Sequence, residues 1–531
     1  MKKLFFLLFV VLNSLSSNAQ FKVIAAGPVF DEPENGFGKI LHLKNGNTLF
    51  LHVTIKEGVN IKIYDAAHKQ KVEKHLEPAY GKIKNGNIDG IFEINGDATL
   101  LISEIDEKKP VLYRLIIDGK TGHLKEEKKI AELNKLNLGQ GYAMAFGGVS
   151  PPDFYVRKDA HSDHYAVAMM NSFEADRNKR IEIIFYGPDH KELSRAYYSS
   201  PEDKYKYLRY IDMTVIGKEK VSVLAYAYNT RSSGGKESEL VLANLDEGST
   251  SVTLQQLAFS KEMEAPDGIT RYNPVTKKII LLATARMGKT NQHAAYIATI
   301  DPFTSKVDKI SDVYPTHANE KSRELFGQKN GYDGMPQNLF INKDGSYSVI
   351  FEEITIQQNT FSSGSSVTIT TLGNIAVLRF DASGKQTGSY LVPKRHKLIN
   401  AWLPPFYHSD REGSAQLLKD GNQFKSFAYL NGGDKSYILF NDVHNNAESV
   451  LKGKLTTITG VGECDGFYFE ISGLEVMPER KYVFGKPESK RDNNLGLFSI
   501  SDYDPDNNLY VTLKLEKEGR DKGVRLLWMQ P

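Results

Sequence analysis

Residues 339–350 read LFINKDGSYSVI and show the unit from which the fold is built. Apolar and polar side chains alternate on both sides of Lys-Asp-Gly, so the stretch predicts two antiparallel strands joined by a tight turn. Further along, residues 376–386 read AVLRFDASGKQ, an apolar run that ends in an acidic residue with a glycine close behind. Each unit therefore reads as strand, tight turn, strand, variable loop, signature strand and short outer strand.

The signature strand recurs along the whole chain. Its copies end near Asp65, Asp118, Gly187, Asp246, Asp301, Asp381 and Asp442, and a last copy, VRLLWMQP, ends at Pro531. The gaps between the clear copies run from 118 − 65 = 53 to 381 − 301 = 80 residues. A period of this length with about four strands per unit is typical of a β-propeller. Radial stacking explains the repeat, because a lone sheet leaves both faces open whereas neighbouring blades cover them.

We predict an all-β chain that folds as a single β-propeller domain of eight blades over residues 20–531. Without residues 1–19 the chain has 531 − 19 = 512 residues, and 512/8 = 64 for each blade. Seven blades is the close alternative. Separate β-sandwiches are the other architecture, although no Pro/Gly/Ser-rich linker divides the chain. The last unit lacks an outer strand, so we expect residues 21–30 (FKVIAAGPVF) to complete it and close the ring. Residues 318–328 are the one predicted helix.

The first twenty residues, MKKLFFLLFVVLNSLSSNAQ, have the three regions of a secretory signal peptide. Lys2 and Lys3 are followed by nine apolar residues, and the small residues Ser17 and Ala19 stand at −3 and −1 of a cleavage site. We therefore expect residues 1–19 to be removed by cleavage after Ala19 and the protein to be periplasmic or extracellular. No later stretch approaches the 18 apolar residues of a membrane-spanning helix, so we expect no membrane span.

Charge and cysteine content exclude several classes of function. The formal net charge is 67 − 65 = +2, and loss of Lys2 and Lys3 reduces it to 65 − 65 = 0, which argues against a nucleic-acid partner. The single cysteine, Cys464, excludes an internal disulfide framework and any multi-cysteine metal site. We expect Cys464 to be buried and the protein to be a monomer.

Three motifs resemble ligand sites, and each has a simpler interpretation. Residues 283–290 (ATARMGKT) fit a loose phosphate-binding loop, but a strand follows where the chemistry needs a helix. His161 and His164 are only two of the ligands a metal needs, and they lie where other units have a tight turn. Residues 502–508 (DYDPDNN) alternate like a calcium loop, yet Asn507 and Leu513 replace the required Gly and Glu. We predict no cofactor, and calcium at residues 502–506 stays an open alternative.

Three segments carry a resemblance to known proteins: FNDVHNN at residues 440–446, YVTLKLEKEGR at 510–520 and LLWMQP at 526–531. With them, the chain resembles secreted bacterial β-propeller-like proteins of unknown function over most of its mature length. The two tryptophans are too few for a Trp-Asp pair in each blade. The resemblance implies an exported propeller and names no activity.

A binding site is expected on one face of the propeller, where loops between second and third strands meet the connections between blades. The long segments of the chain fall there, at residues 230–239, 311–336, 357–374 and 397–412. The last reads KLINAWLPPFYHSDRE and combines aromatic rings with hydrogen-bonding groups, which suits a sugar or a peptide. The candidate ligand-binding residues are Trp402, Phe406, Tyr407, His408, Asp410, Arg411, Tyr332 and Asp333. Alternatively, residues 402–405 anchor a long crossover into the core.

Two hypotheses for function follow. In the first, the protein is a non-catalytic binding or scaffold propeller of the cell envelope that recognises a glycan or a protein. In the second, it is a hydrolase or lyase acting on glycans, with acids such as Asp333 or Asp410 at the loop face. The sequence carries neither a Gly-x-Ser-x-Gly elbow nor a His-Glu-x-x-His helix, so the choice between binding and catalysis stays open.

Overall fold

The computed structural model describes residues 21–531 apart from 55–56, 78–85, 147–150, 200–203, 230–236, 262, 287–292, 305, 328–330, 361–365, 404–405, 407–416, 419–420, 434, 474, 488–491 and 519–520. The described chain is all-β, with eight antiparallel sheets built on four strands each and arranged as the blades of a propeller. The first strands of neighbouring blades contact one another and line a central channel. The prediction of an eight-bladed propeller is thus confirmed.

Two short strands, β1 (Lys22–Ala26) and β2 (Phe30–Asp31), precede the first complete blade. Blades 1 to 4 then follow, with their strands in chain order from the channel outward. Blade 1 contains β3 (Gly36–His42), β4 (Thr48–Thr54), β5 (Gly58–Tyr64) and β6 (Gln70–Leu76). Blade 2 contains β7 (Asn87–Ile94), β8 (Asp97–Asp106), β9 (Lys109–Ile117) and β10 (Leu124–Glu132). Blade 3 contains β11 (Asp153–Lys158), β12 (Tyr165–Met170), β13 (Ile181–Tyr186) and β14 (Glu192–Tyr197). Blade 4 contains β15 (Tyr207–Ile216), β16 (Lys220–Tyr228), β17 (Ser238–Asp246) and β18 (Thr253–Leu257).

Blades 5 to 8 complete the ring, and two short strands join other sheets at their edges. Blade 5 contains β19 (Glu264–Asn273), β20 (Lys278–Arg286), β21 (His293–Asp301) and β22 (Lys306–Asp312). Blade 6 contains β23 (Gly334–Ile341), β24 (Tyr347–Thr360), β25 (Ser366–Phe380) and β26 (Gln386–Val392). The short strands are β27 (His396–Ile399), which pairs with β25, and β28 (Leu417–Leu418), which pairs with β3. Blade 7 contains β29 (Ala428–Leu430), β30 (Ser436–Asp442), β31 (Asp465–Ile471) and β32 (Arg480–Tyr482). Blade 8 contains β33 (Gly496–Asp504), β34 (Leu509–Glu518) and β35 (Asp521–Gln530) together with β1.

Helices occur only in the connections of the described chain. The helix α1 (Leu138–Phe146) joins blades 2 and 3, α2 (Thr316–Phe326) joins blades 5 and 6, and α3 (Asn446–Leu451) lies inside blade 7. The predicted helix at 318–328 is confirmed as α2, whereas α1 and α3 were not predicted. Three-residue 3-10 turns occupy Arg177–Lys179, Ala258–Ser260 and Asn422–Phe424. None of the helices in the described ranges has the length and apolar composition needed to cross a bilayer.

The N-terminal strand completes the last blade, as predicted. β1 pairs antiparallel with β35, with Lys22 opposite Gln530, and supplies the outer strand that blade 8 otherwise lacks. Before it, Phe21 is buried, and its ring contacts Tyr437 of blade 7 at 5.4 Å and Tyr510 of blade 8 at 6.2 Å between centroids. The N-terminal segment is therefore held by backbone pairing and by aromatic packing at once.

One part of the repeat was assigned wrongly. We expected the strand ending near Asp442 to be the third strand of its blade, but β30 is the second strand of blade 7. The third is β31 (DGFYFEI), which ends in Ile471 and is followed by Ser472, so no acidic residue stands directly after the strand. The error arises because the first strand of the blade, β29, has only three residues and gives little alternation to recognise. Residues 357–374 likewise lie mostly in β24 and β25 rather than in a loop.

The two faces of the propeller differ as expected. First and second strands, like third and fourth strands, are joined mainly by short turns on one face, which we call the short-turn face. Second and third strands, and successive blades, are joined on the opposite face, the long-loop face. The three helices lie in these long-loop connections. Variable structure therefore collects on one side of a rigid scaffold, where binding sites usually arise.

Candidate functional site

The central channel forms a cavity in the described part of the molecule. Its volume is about 660 Å³, and the inner strands of six blades line it. Charged side chains around the channel hold neighbouring blades together. Arg157 Nη2 lies 2.7 Å from Asp212 Oδ1, and the backbone N–H of Thr270 donates to Asp212 Oδ2 at 2.7 Å. Arg271 Nη2 then donates to Asn338 Oδ1 at 3.1 Å, which extends the network into blade 6. These contacts give the channel a structural role.

The second cavity is a cleft of about 720 Å³ on the long-loop face of blade 6, which we call the blade-6 cleft. The hairpin of β24 and β25 forms one wall, because these strands stay paired from Tyr347 opposite Phe380 to Thr360 opposite Ser366. The segment after α2, the residues after β26 and the loop after α3 supply the remaining walls. The cleft therefore exists because blade 6 has far longer middle strands than blade 7 beside it.

Glu353 lines this cleft opposite a β-bulge. The pairing register of β24 with β25 shifts between Glu352 and Ile354, where Glu353 alone lies opposite two residues of β25, Gly373 and Asn374. The extra residue is therefore on β25. Bulges re-aim side chains and are common beside active sites. A Cβ atom at Gly373, on the partner strand, would lie only 2.7 Å from Glu353 Oε2. Glycine at this position therefore leaves the room in which the Glu353 carboxyl group lies.

The Glu353 carboxyl group has an unusual electrostatic environment. Burial raises its pKa to about 7, and the nearby Asp333 carboxylate acts in the same direction. Hydrogen bonds from the backbone N–H groups of Asn374 and Asp333 oppose the rise. Glu353 Oε2 also accepts from the Asn374 side-chain amide at 3.0 Å. A carboxyl group with this pKa exchanges its proton near neutral pH, which is a property of many functional sites.

A buried ion pair lies next to the cleft. Lys394 Nζ is 2.6 Å from Glu352 Oε1, and both side chains are fully buried. Burial lowers the pKa of Lys394, and the negative charge of Glu352 opposes that shift. The Lys394 backbone N–H donates to Asn374 Oδ1 at 3.3 Å, which connects the pair to the amide that holds Glu353. The side of the cleft that carries Glu353 is therefore fixed by charge and hydrogen bonding.

Hydrogen-bond donors and acceptors both face the cleft, together with some apolar side chains. Asp333 and Arg395 line it and are exposed. Thr355 lies opposite Thr371 on the paired strands, and both line the cavity. The apolar contribution comes from Phe326, Ile354 and Leu455. Donors, acceptors and apolar patches in one cleft suit a polar ligand such as a sugar chain or a peptide.

The predicted site residues fall in different environments. Asp333 lines the blade-6 cleft, whereas Tyr332 is buried and its hydroxyl donates to the backbone oxygen of Asn374 at 3.2 Å. Phe406 is buried in the same apolar cluster as Tyr332. Trp402 is exposed and is not among the residues that line the cleft. Tyr407, His408, Asp410 and Arg411 lie outside the described residues, so their binding role stays a prediction.

Sequence reasoning missed Glu353, Asn374, Lys394 and Arg395. The available signal was the pair of adjacent glutamates that interrupts the apolar run YSVIFEE at residues 347–353. Consecutive residues of a strand point to opposite faces of the sheet, so this pair places a carboxyl group on both faces of a central strand, which is costly in an apolar core and indicates a polar site.

The motifs considered for metal binding have local partners. Asp502 Oδ2 accepts from the backbone N–H of His42 at 2.7 Å, whereas Asp504 Oδ1 accepts from the backbone N–H of Asp506 at 2.9 Å within the turn. His164 lies at the end of the turn between β11 and β12. In the described ranges, no three His, Cys, Asp or Glu side chains come together as a metal site would require. The phosphate-loop motif falls largely on residues 287–290, outside the described part.

The sequence matches no protein-family model and no curated protein. Among solved structures, prolyl oligopeptidase B from Galerina marginata is similar with a TM-score of 0.41 and 8% identity, covering 93% of this chain and 55% of that one. This chain thus spans about half the length of the oligopeptidase. A polysaccharide lyase gives a TM-score of 0.38 at 10% identity, covering 86% of this chain and 92% of the lyase. A protein of unknown function from Bacteroides caccae gives 0.25 at 10% identity, covering 68% of this chain and 83% of that one.

Proposed function

We propose that the protein is an exported, non-catalytic binding propeller of the cell envelope that holds a glycan in the blade-6 cleft. The observation that carries this proposal is the convergence of Asp333, Glu353, Arg395, Thr355 and Thr371 on one open cavity. Export rests on the signal-like sequence of residues 1–19.

A glycan fits the chemistry of the cleft well. Sugar hydroxyls both donate and accept hydrogen bonds, and here carboxylates and threonine hydroxyls stand near a guanidinium group. The apolar side chains of Ile354 and Leu455 offer surface for the C–H face of a sugar ring. Glu353 already accepts hydrogen bonds from Asn374 and from the backbone of Asp333, so much of its capacity serves to shape the cleft. Because Glu353 serves mainly to shape the cleft, ligand binding is favoured over catalysis.

A glycan-acting hydrolase or lyase is the second candidate, and one observation favours it. The pKa of Glu353, raised to about 7, is suited to a general acid or base near neutral pH. Asp333 is close enough to influence that pKa, so the cleft holds two neighbouring carboxyl groups. Glycosidases commonly use a pair of carboxyl groups, one of which has a raised pKa and acts as the general acid.

One screen separates the two candidates. The chain from Gln20 onward is titrated calorimetrically with soluble oligosaccharides and peptidoglycan fragments, and the same samples are assayed for new reducing ends and unsaturated products. We expect binding without product, weakened about tenfold or more by D333N and R395A, because each removes charge from the cleft wall. The matched control is E247Q, an exposed acid on the short-turn face.

The outcomes differ for each candidate. Product formation that E353Q abolishes would replace binding with catalysis as the function. Equal loss of affinity in D333N and E247Q would show that the cleft is not the site. Binding of peptides alone would contradict the glycan assignment and leave the cleft as a peptide site.

A further inference from the structure

On the long-loop face, the hairpin of β24 and β25 extends beyond the neighbouring strand β23. β23 pairs with β24 only as far as Gly334 opposite Glu353, whereas β24 and β25 stay paired to Thr360 opposite Ser366. Within the described chain, residues 354–360 therefore have β25 on one side and no paired strand on the other. We call this segment of β24 the β24 edge.

The direction of the backbone groups on the β24 edge follows from a contact of β25. The backbone N–H of Asn400 donates to the Thr368 carbonyl oxygen at 2.8 Å, so the backbone groups of Thr368 point away from β24. Thr368 lies directly opposite Gln358, which makes this a pair without hydrogen bonds between β24 and β25. Such pairs alternate with hydrogen-bonded pairs along an antiparallel ladder. Every second residue therefore directs its backbone N–H and C=O groups toward the open side, namely Ile354, Ile356, Gln358 and Thr360.

These outward backbone groups are unpaired, and the edge that carries them is held in position. Among the described residues, none of the outward groups has a hydrogen-bond partner. Thr355 and residues 357–360 are exposed, so little of the described chain covers them. Ile354 packs with Leu372 and Leu398 in one apolar cluster, which fixes the hairpin against β27. A fixed row of open donors and acceptors is a template for a further strand.

The β24 edge also lacks the charges that protect other edges of this protein. Residues 354–360 read ITIQQNT, and the paired residues 366–372 read SVTITTL. The outer strands β6 (QKVEKHL), β10 (LKEEKKIAE) and β22 (KVDKISD) carry several charged side chains, which hinder the addition of a strand. Of the uncharged outer strands, β26 is contacted by α2, and β18 is shorter, with five residues. The β24 edge has neither charge nor cover.

We propose that the β24 edge binds an extended, uncharged segment of a partner protein by strand addition. A polypeptide backbone supplies donors and acceptors at the spacing of the open row, and its uncharged side chains match those of residues 354–360. The bound segment lies beside β24 in line with β23, so its end nearest Ile354 reaches the rim of the blade-6 cleft. This interaction uses the main chain of β24 and does not depend on which ligand the cleft holds.

A second copy of this chain is a less suitable occupant of the β24 edge. Two edges of this length pair over few residues, and such a contact alone falls below the roughly 1,200 Å² of total buried surface typical of stable interfaces. A flexible segment of another protein needs no contact between two rigid bodies, because main-chain hydrogen bonds supply its affinity.

Fluorescence anisotropy with a labelled peptide tests the proposal without any glycan, so the result is independent of the proposed function. The probe has the sequence of residues 366–372 (SVTITTL), which already pairs with β24 on its other side. We expect saturable binding to the chain from Gln20 onward, and about tenfold weaker binding of the same peptide with T370P/T371P, since adjacent prolines remove donors in either register. In the protein, Q358P removes an outward N–H group and should weaken peptide binding about tenfold.

The control is Q357A/N359A, which shortens two exposed side chains whose backbone groups face β25 and should bind the peptide like the unaltered chain. An unchanged melting temperature will verify that Q358P is folded. Q358K/T360K adds charge of the kind that protects β6 and should weaken binding without a proline.

Absence of saturable binding of the SVTITTL peptide to the unaltered chain would overturn the proposal. Equal binding by Q358P, Q358K/T360K and the unaltered chain would also overturn it, because the peptide would then not use the β24 edge. Dimers in light scattering that Q358P dissociates would identify a second copy of the chain as the occupant and contradict the assignment to another protein.

Discussion

The junction of blades 8 and 1 and the blade-6 cleft use polar groups in opposite ways. At the junction, Trp528 is fully buried against Tyr64, and its Nε1–H donates to Thr48 Oγ1 at 3.0 Å. In the cleft, Glu353 lies opposite a bulge and beside an open cavity, and burial raises its pKa. At the junction the indole N–H of Trp528 forms a hydrogen bond between the two blades and helps to close the ring, whereas the cleft keeps a costly carboxyl group near solvent. We infer that substitutions at the junction mainly change stability and that those in the cleft mainly change recognition.

The largest effect is expected at the junction. Trp528→Ala removes a fully buried side chain that contacts Tyr64 and His68 of blade 1. Large-to-small substitutions of this kind cost about 3–5 kcal/mol, because the cavity closes only in part. Denaturant unfolding of the variant will measure the loss. A change below about 1 kcal/mol would show that ring closure does not depend on this contact.

Lys394→Met tests the buried ion pair next to the cleft. Removing one partner leaves Glu352 buried without its ammonium group, and we expect a loss of about 3 kcal/mol in the free energy of unfolding. The double variant K394M/E352L removes both charges and should recover most of that loss. If the double variant is as unstable as the single one, the cost comes from packing and not from the unpaired charge.

Glu353→Gln tests how much stability the folded protein loses when the buried Glu353 carboxyl group ionises. The folded-state pKa, about 7, lies above the value of an unfolded glutamate, so the folded protein loses stability as pH rises from about 4.5 to about 7. Glutamine does not ionise. The free energy of unfolding of the variant, relative to that of the unaltered chain, should therefore rise by about 2 kcal/mol from about pH 5 to about pH 8. Urea unfolding at both pH values will measure the difference. A pH-independent difference would contradict the raised pKa.

The smallest effect is expected from Asp502→Asn, at the junction. His42 donates to the Asp502 carboxylate from its backbone and contacts it with its ring at 3.0 Å, and these contacts lower the pKa of Asp502 although its partial burial acts in the opposite direction. A lowered pKa gives stability that is present above the unfolded pKa near 4 and lost as pH falls through the folded value. Because the Asp502 side chain is a third exposed, we expect the free energy of unfolding to fall by only about 1 kcal/mol at neutral pH. Equal unfolding curves for both proteins at neutral pH would show that the contact adds no stability.

The sequence predicted the propeller because its strands repeat the same turn chemistry. Asp65, Asp118 and Asp381 each accept hydrogen bonds from backbone N–H groups just after a third strand, so one acidic residue marks the same place in different blades. Blade 7 departs from this pattern, and its third strand was missed for that reason.

The cleft was less predictable, because it depends on contacts between distant segments. Asp333 was identified from its position in a long connection, whereas the adjacent glutamates that include Glu353 mark a polar position in a strand and do not locate a cavity. The space that receives its carboxyl group is supplied by Gly373, twenty residues further along. Glu353 and the glycine in the bulge opposite it act together only once the two strands pair, so neither is informative alone.

Amide hydrogen exchange, with and without the glycan identified by the screen, tests most directly whether the blade-6 cleft is the binding site. We expect slower exchange in the bound state at residues 353–355 and 371–374, which form the cleft wall, and no change on the short-turn face. Slower exchange confined to residues 37–42 and 88–93, on the wall of the central channel, would contradict the assignment and move the site into the channel.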